Sequence, residues 1–448
     1  MACRLKIRSL SRSQGMLVLF WTCFGGAPLQ AATPVVARGS CVSLKAVLDF
    51  AASQSEAIQI QAAAVSKAEA ALSAARSAVL PSLGLTGSAV VQDASDLSLA
   101  AGGKPSTTQT SSRLTLSQPL FKGGREYAAL RAAKAGVEAQ ATSLEATQIK
   151  VARGITARYF AALAAQAEVA ALQELRDLSS RRDSQIKSRV AIGKSRPTDG
   201  LGSEVQLSSA KAQLDVATLQ LETARHQLVS DAGIPLEERP VLMKSGVCDV
   251  TLGNVPLANW SDIEARILSR PDLEAERIAV KIAGESVAIA RAGHLPSVDL
   301  AANYHLKRAD ARFDGSDWDV TLSATLPLFS GGGVSAAVRE AKAVEMQQAL
   351  RLKLAERQAL DEGRDLWERY NTGRRQVDLL QEAASKSESY YRRVAQDERL
   401  GLASSLETLQ ALNSSIDARR AAVKARVQLA QTWRELLLVI REPAAGID

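Results

Sequence analysis

The chain has 448 residues, of which 46% are apolar but only 4% aromatic. Alanine supplies much of the apolar content, a composition that favours long helices packed side by side over thick globular cores. The first 32 residues hold four of the 55 basic residues and no acids, which leaves 51 bases against 48 acids. This small excess does not support nucleic-acid binding, which needs a clustered basic face.

Residues 1–32 have the pattern of an export signal peptide. Four basic residues precede the apolar run 16–21, and small residues follow at Ala27, Ala31 and Ala32. We expect cleavage near Ala31 or Ala32. A retained membrane anchor is the alternative, but the apolar run is shorter than the ~20 residues that a spanning helix needs. A leader of this kind predicts export from the cytoplasm.

Two of the four cysteines, Cys3 and Cys23, lie in the predicted leader. Cys41 and Cys248 remain, and each shortly precedes the first helix of a sequence repeat that is described next. In an oxidising compartment the two thiols can form a disulfide, or both can stay unpaired. A polar gap and Arg38 separate Cys41 from the apolar run, which argues against a lipidated N-terminus.

The chain contains two copies of one pattern. The segment 118–124 (QPLFKGG) returns as 326–332 (LPLFSGG), and Gly193 returns as Gly401, in each case 208 positions later. Flanking alanines and basic residues keep the same offset. A two-copy architecture follows.

Helical and strand periodicities place the same elements in each copy. Repeat 1 covers 33–232, with a helix over 42–79, strands near 82–93 and 109–120, a long helix over 124–193, a turn and a helix over 199–230. A linker rich in proline and glycine follows at 233–258. Repeat 2 covers 259–441, with a helix, strands near 297–308 and 317–328, a long helix over 332–400, a turn and a helix over 405–441, before a tail at 442–448.

The predicted strands alternate strictly between apolar and polar residues, most clearly over 297–306 and 317–326. About ten residues suit a tilted crossing of a membrane, in which the apolar face meets lipid and the polar face meets water. Closing a small barrel takes about eight strands, and open edges are costly in lipid. The four strands therefore predict one barrel built by several copies. A longer connection around 101–105 predicts a longer exposed loop in copy 1.

Each long helix advances 69 positions without a proline. At 1.5 Å per residue such a helix reaches roughly 100 Å, well beyond a compact domain. The helices before the strands and after the turn together nearly match this length. We expect the two shorter helices to stack end to end along the long one, so that several chains enclose a hollow helical cylinder.

The ordered and duplicated set of leader, Leu-Pro-Ser strand starts, Pro-Leu-Phe-x-Gly-Gly strand ends and glycine turns resembles the TolC-like outer-membrane channel family across essentially the whole mature length. The resemblance implies an α+β membrane protein and a homotrimer. Its 12-stranded β-barrel, four strands per chain, lies in outer-membrane lipid of a Gram-negative bacterium and continues as a periplasmic α-helical coiled-coil barrel. The implied partners are a periplasmic adaptor (membrane fusion protein) and an inner-membrane ABC transporter or proton-driven pump.

The family commonly places acidic residues just after the second turn glycine, in the closed periplasmic entrance. Glu407 matches one such position, whereas Gln410 replaces the second acid and halves the ring charge. Asp199 is the copy-1 counterpart. A symmetric ring of carboxylates would prefer cations; the alternative is that Glu407 is an ordinary residue at a helix start.

Other residues receive structural roles from the pattern. We expect hinges at Gly193 and Gly401, an interfacial aromatic girdle or else core packing at Tyr304 and Trp318, and strand-to-helix bends at Pro119, Gly123, Gly124, Pro327, Gly331 and Gly332. Basic residues near the turns predict either a docking surface for adaptor or transporter, or a solvated face: Lys187, Arg189, Lys194, Arg196, Arg392, Arg393 and Arg399.

No pattern indicates an enzyme, a cofactor or a metal site. His226, His294 and His305 have no metal-ligand spacing, and the run 331–333 lacks the lysine of a phosphate loop. The predicted function is a passive exit duct that opens when the helical turns near Gly193 and Gly401 untwist. Type I protein (toxin) secretion is favoured over multidrug efflux, and a periplasmic coiled-coil scaffold without a pore is the alternative of another class.

Overall fold

The computed structural model describes residues 41–91, 108–234, 246–249, 259–307 and 317–440. The chain divides into a unit of residues 1–36 and a unit of residues 37–448, and every described residue belongs to the second. The predicted signal peptide, the copy-1 loop around 101–105, the C-terminal tail and most of the 233–258 linker lie outside the described residues.

The described elements follow the same order in both copies. Copy 1 contains β1 (Cys41–Val42), α1 (Leu44–Gln54), α2 (Glu56–Ser77), β2 (Ser82–Val91), β3 (Thr108–Lys122), α3 (Arg125–Ala191) and α4 (Pro197–Asp231). After β4 (Gly246–Val247), copy 2 contains α5 (Trp260–Leu268), α6 (Pro271–Arg291), a 3-10 turn (Ala292–His294), β5 (Ser297–Lys307), β6 (Trp318–Thr325), α7 (Gly333–Arg399) and α8 (Ser405–Val439).

The two copies match residue for residue in their long helices. α3 and α7 have 67 residues each, α4 and α8 have 35 each, and both pairs keep the 208-residue offset. α2 and α4 both pack along α3, while α6 and α8 both pack along α7. The shorter helices thus accompany the long one, as the lengths in the sequence predict.

The first predicted helix, 42–79, differs from the structure, which breaks it at Ser55. Ser55 is extended, with ψ of 121°, and its N–H still donates to the Ala51 carbonyl oxygen. The position 215 residues later is Arg270, followed by Pro271 at the start of α6. Proline there forbids a continuous helix. Copy 1 has no proline at its break. A Cβ added to Gly233 would lie 3.5 Å from the Gln54 carbonyl oxygen, so the segment after α4 passes close to this break.

The four long strands form one antiparallel sheet in the order β2-β3-β5-β6. Its register aligns the apolar residues on one face, as in the row Leu85, Leu114, Tyr304 and Trp318. Leu85 is 68% exposed and Trp318 is 62% exposed. The other face carries polar side chains. The sheet therefore presents one apolar and one polar surface, which is the arrangement that the alternation predicts.

β6 ends at Thr325, three residues before the predicted limit of 328. In copy 1 the equivalent strand β3 continues to Lys122, because β5 pairs with it as far as that residue. β6 is the outer strand of the sheet and has only β5 as a partner among the described residues. Thr325 pairs with Ser297, the first residue of β5, so β6 ends where its partner begins.

The strands β1 and β4 and the disulfide beside them contact the middle of α3. Cys41 and Cys248 form a disulfide beside the parallel strands β1 and β4. The Tyr159 hydroxyl lies 2.9 Å from the Val42 carbonyl oxygen and 2.8 Å from that of Cys248. The Gln166 side-chain amide donates to the Val247 carbonyl oxygen and accepts the Val247 N–H. We call this group the mid-helix joint. It fastens the beginning of copy 1 and the inter-copy linker to α3.

Apolar clusters join the helices on either side of this joint. One lies between α3, α4 and α8 and includes Leu172, Leu214 and Leu412. The other lies between α5, α6, α7 and α8 around the buried Trp433. Within the described residues, no helix combines the length and apolarity needed to cross a membrane.

Candidate entrance at the helical turns

The two turns between long and short helices share one backbone design. Gly193 and Gly401 have φ of 71° and 79°, a region that glycine adopts without steric cost. In each turn the next residue donates its N–H to a carbonyl five residues back: Lys194 to Arg189 and Leu402 to Asp397, both at 2.8 Å. This glycine-terminated cap ends a helix sharply and reverses the chain.

The helix that follows each turn is capped differently. In copy 2, the Ser404 hydroxyl accepts the Glu407 N–H at 3.1 Å. In copy 1, the equivalent position is Arg196, and the Asp199 carboxylate accepts the Arg196 N–H at 3.2 Å. The Asp199 carboxylate therefore caps the start of α4, whereas the exposed Glu407 carboxylate faces solvent.

Charged side chains fasten the α3–α4 hairpin to itself. Lys187 on α3 pairs with Asp183 at 3.0 Å and with Glu204 on α4 at 2.7 Å. The Ser203 hydroxyl donates to Asp183 at 2.8 Å. Burial opposes ionisation of Asp183, but the bonds from Lys187 and Ser203 outweigh it and lower its pKa. The hydrogen bonds that Lys187 donates to Glu204 and Asp183 raise the pKa of Lys187. Both groups are therefore charged at neutral pH.

The α7–α8 hairpin is instead fastened to α3 of the other copy. The Arg182 guanidinium donates to both Glu398 carboxylate oxygens, at 3.1 and 3.2 Å, and to the Ser405 carbonyl at 2.7 Å. Arg189 adds a longer contact to Glu398 at 3.6 Å. The side chains of Arg182 and Glu398 are only 14% and 12% exposed. We call this group the Arg182–Glu398 clasp; shielding from water makes it stronger than a surface ion pair.

The predicted entrance residues lie near this clasp but do not touch one another. Glu407 and Gln410 are exposed on the first turns of α8, and Asp199 is half-buried at the start of α4. Among the described residues, no hydrogen bond or ion pair links these three. Of the predicted basic surface, Lys187, Arg189 and Arg392 pair with acids of this chain. No sequence pattern indicates the Arg182–Glu398 contact, which joins residues 216 positions apart.

The other sequence-predicted residues mark the bends and the sheet. Gly123, Gly124, Gly331 and Gly332 all have positive φ, and a Cβ on Gly123 would lie 2.7 Å from the Ala292 carbonyl oxygen. Pro119 lies at a register shift of β3, and Pro327 follows β6. Tyr304 and Trp318 face each other across β5 and β6 on the exposed apolar face. Among the described residues no cluster of His, Cys, Asp or Glu could hold a metal ion.

Comparison with known proteins agrees with this architecture. A family model described as "Outer membrane efflux protein" matches residues 47–233 and 263–440. The proteases secretion protein PrtF of Dickeya chrysanthemi is 26% identical over 55% of this chain and 54% of its own length. The outer membrane efflux protein BepC of Brucella suis is 22% identical over 70% of this chain and 68% of its own length.

The crystal structure of the outer membrane protein VceC of Vibrio cholerae superposes with a TM-score of 0.80 at 19% identity. The superposition covers 89% of this chain and 95% of VceC. The matched region spans only about half of PrtF, while the fold is shared over nearly the whole of VceC.

Proposed function

Because the chain belongs to the outer membrane efflux protein family, we propose that it is the exit duct of a type I protein secretion system. Family membership places it in the outer membrane of a Gram-negative bacterium, as a transport protein and not an enzyme. The observation that carries the proposed duct is the sheet with one exposed apolar face and one polar face, in which β3 and β6 are each followed along the chain by a 67-residue helix. Such a sheet suits a barrel wall between lipid and water.

We propose that three chains close the barrel. Within one chain, β3 of copy 1 pairs with β5 of copy 2, which leaves β2 and β6 as the edges. The equivalent pairing joins β6 to β2 of the next chain, and three chains then supply 12 strands. The pair Thr115–Asn303 translates, by the offsets of 208 and 215 residues, into Ser323 opposite Ser88 of the neighbour.

A cysteine pair tests this closure. In a Ser88→Cys/Ser323→Cys variant, oxidation should link chains into a covalent trimer on a non-reducing gel, because directly opposed residues have Cβ atoms about 5 Å apart. The control, Gly84→Cys/Ser323→Cys, displaces one thiol by four residues, about 13 Å along the strand. Equal linking in both variants, or in neither, would contradict the proposed register.

The Arg182–Glu398 clasp is the proposed latch of the periplasmic entrance. Glu398 lies three residues before the Gly401 turn, and Arg182 lies on the α3 helix, which the mid-helix joint holds. Releasing Glu398 would loosen the turn between α7 and α8 from α3 without opening the α3–α4 hairpin, while Leu412 and Ile416 keep α8 packed on α3 and α4. We propose that the energised ABC transporter and its adaptor open the duct by displacing this hairpin.

Protein cargo is the favoured substrate class. The name of PrtF assigns protease secretion to that relative, and the predicted leader has no cysteine at its cleavage site, unlike lipid-anchored multidrug subunits. A second candidate is small-molecule efflux with a proton-driven pump, which the name of BepC favours.

Deleting the gene in its own host distinguishes the two cargo classes. Secretion predicts that one or more proteins disappear from the culture supernatant, return on complementation, and leave drug susceptibility unchanged. Raised drug susceptibility with an unchanged supernatant would instead support efflux and contradict secretion.

A further inference from the structure

We propose that a second copy of the chain docks its α4 helix on the exposed side of α7. At this seam, Glu382 and Arg375 of α7 pair with Lys211 and Asp215 of the next chain. The inference rests on the proposed trimer. It concerns the helices, whereas the strand pairing proposed above concerns the sheet.

The two helical hairpins pack in the same way, which allows a contact of one to be transferred to the other. In the α3–α4 hairpin, Val169, Ala217 and Leu221 belong to one apolar cluster. The residues 208 positions later form a cluster between α7 and α8: Val377, Ala425 and Leu429. The α7 helix thus presents to its surroundings the side that α3 presents to α8.

An ion pair between α3 and α8 identifies the pair at the seam. The Arg419 guanidinium of α8 donates to both Glu174 carboxylate oxygens of α3 at 2.9 Å. Moving Glu174 forward and Arg419 back by 208 positions gives Glu382 on α7 and Lys211 on α4, with the same two charges. Among the described elements, α7 packs chiefly on α5, α6 and α8, and α4 packs chiefly on α3. The Lys211 that meets Glu382 therefore belongs to another copy.

The residues around this pair are complementary as well. The groove between α3 and α8 is lined by Ala167 and Ala171 on one side and by Val423 and Lys424 on the other. The same shift of 208 positions replaces them at the seam by Arg375 and Leu379 on α7 and by Asp215 and Val216 on α4.

The seam thus opposes a base to an acid and one apolar side chain to another. Leu379 is 66% exposed in the single chain, and Val216 is 57% exposed. Docking of α4 would remove both from water, which favours association.

The seam has no counterpart of the Arg182–Glu398 clasp. The position 208 residues after Arg182 is Tyr390, and the position 208 residues before Glu398 is Val190, so neither carries a charge. The ion pairs of the seam therefore lie away from the turns. A trimer held in this way can keep its chains together while the turn between α7 and α8 moves.

The test is the temperature at which the detergent-purified full-length trimer dissociates, followed by its mass. Lys211→Glu places two acids opposite each other at each seam and should lower this temperature by several degrees. Glu382→Lys should also lower it, partly through repulsion with Lys386 on the same helix. The double variant restores opposite charges between chains and should dissociate at a higher temperature than either single variant.

A charge reversal elsewhere on α7 is the matched control. Glu388→Arg/Arg392→Glu reverses an exposed ion pair of this helix. The residues 208 positions earlier, Ser180 and Ser184, are exposed on α3 and mark no contact with a neighbouring helix. This variant should dissociate at the wild-type temperature.

A double variant no more stable than the single variants, or an equal loss in the control, would overturn the seam. The duct would stand in either case, provided that the wild type is a trimer that conducts. A wild-type protein that is not a trimer would overturn both the duct and this inference.

Discussion

The α3–α4 and α7–α8 hairpins have the same lengths, the same glycine turns and a constant offset, yet they are held in different ways. α3 packs against helices of both copies and buries the aromatic side chains of Tyr159 and Phe160. α7 packs mainly against α5, α6 and α8 of its own copy. Duplication has preserved the backbone frame while the side-chain partners have diverged. The turn of the α3–α4 hairpin (the fixed hairpin) is held by ion pairs within the hairpin, whereas the turn of the α7–α8 hairpin (the movable hairpin) is held by the clasp, with α8 also packed on α3 and α4 farther along.

The exposed face of α7 also distinguishes the α7–α8 hairpin from the α3–α4 hairpin. Four i, i+4 ion pairs follow α7, for example Arg364 with Glu368 and Lys386 with Glu382. Each pair lies at the solvent-exposed surface, where an ion pair adds little to stability. α3 has fewer such pairs among the described residues because more of its surface packs against other helices. A helix whose exposed face carries only weak surface ion pairs is better suited to move than a helix that is packed against several others.

The largest expected effect comes from removing the anchor of the fixed hairpin. Cys41→Ser/Cys248→Ser should cost about 2–5 kcal/mol, since the disulfide closes a loop across 207 residues. Scanning calorimetry should show a lower melting temperature, while channel conductance stays as in the wild type. An unchanged melting temperature, with the wild-type disulfide verified by mass, would contradict the role of the joint.

The same anchor predicts a dependence on alkaline pH. Burial raises the pKa of Tyr159 to about 12. A raised pKa contributes stability below the ordinary value of 10.0, and that stability is lost as the pH rises towards 12. Melting temperatures from pH 9 to 12 should fall less steeply in Tyr159→Phe than in the wild type. Parallel curves would refute the assignment.

Breaking the clasp should act on the movable hairpin alone. Arg182→Ala leaves the mostly buried Glu398 carboxylate without its main donor, at a cost of about 2–3 kcal/mol. Hydrogen exchange should accelerate in the last turns of α7, and single-channel conductance should rise. Lys187→Ala is the matched control, because it removes a charge pair within the fixed hairpin and should not raise conductance. A rise in both variants would remove the distinction between the hairpins.

A smaller effect is expected where α5 docks on α7. A Cβ on Gly363 would lie 2.1 Å from Ile267 Cδ1, and Ile267 is fully buried. Gly363→Ala should therefore destabilise the protein by about 1–2 kcal/mol, despite the better helix propensity of alanine. Adding Ile267→Val, which removes the clashing methyl, should recover part of the loss in melting temperature. If the melting temperature does not recover, the clash with Ile267 is not the cause of the destabilisation.

The smallest energetic effect separates the two equivalent acids. Glu407→Gln should reduce the cation selectivity of the pore, because the exposed carboxylate is free to face passing ions. Asp199→Asn should leave selectivity unchanged and only weaken the α4 cap, by about 1 kcal/mol. The reversal potentials of the two variants are compared. Equal shifts would show that capping of α4 by Asp199 does not prevent this residue from affecting ion selectivity.

The sequence alone predicted the elements that arise from the internal repeat or from alternating polarity. The 208-residue offset placed both long helices to within two residues, and the alternation at 297–306 identified β5 and its two faces. It could not supply features that depend on contacts between distant segments. The break at Ser55 has no proline to announce it, and Arg182 and Glu398 are single charges in helices rich in charge. Such partners become visible only when both copies are folded together.

The central claim is that this chain forms a trimeric duct, and single-channel recording tests it most directly. The detergent-purified protein should have the mass of a trimer and should give discrete, cation-preferring conductance steps in a planar bilayer. A monomer that extracts with salt and gives no conductance would contradict the duct and favour a periplasmic scaffold.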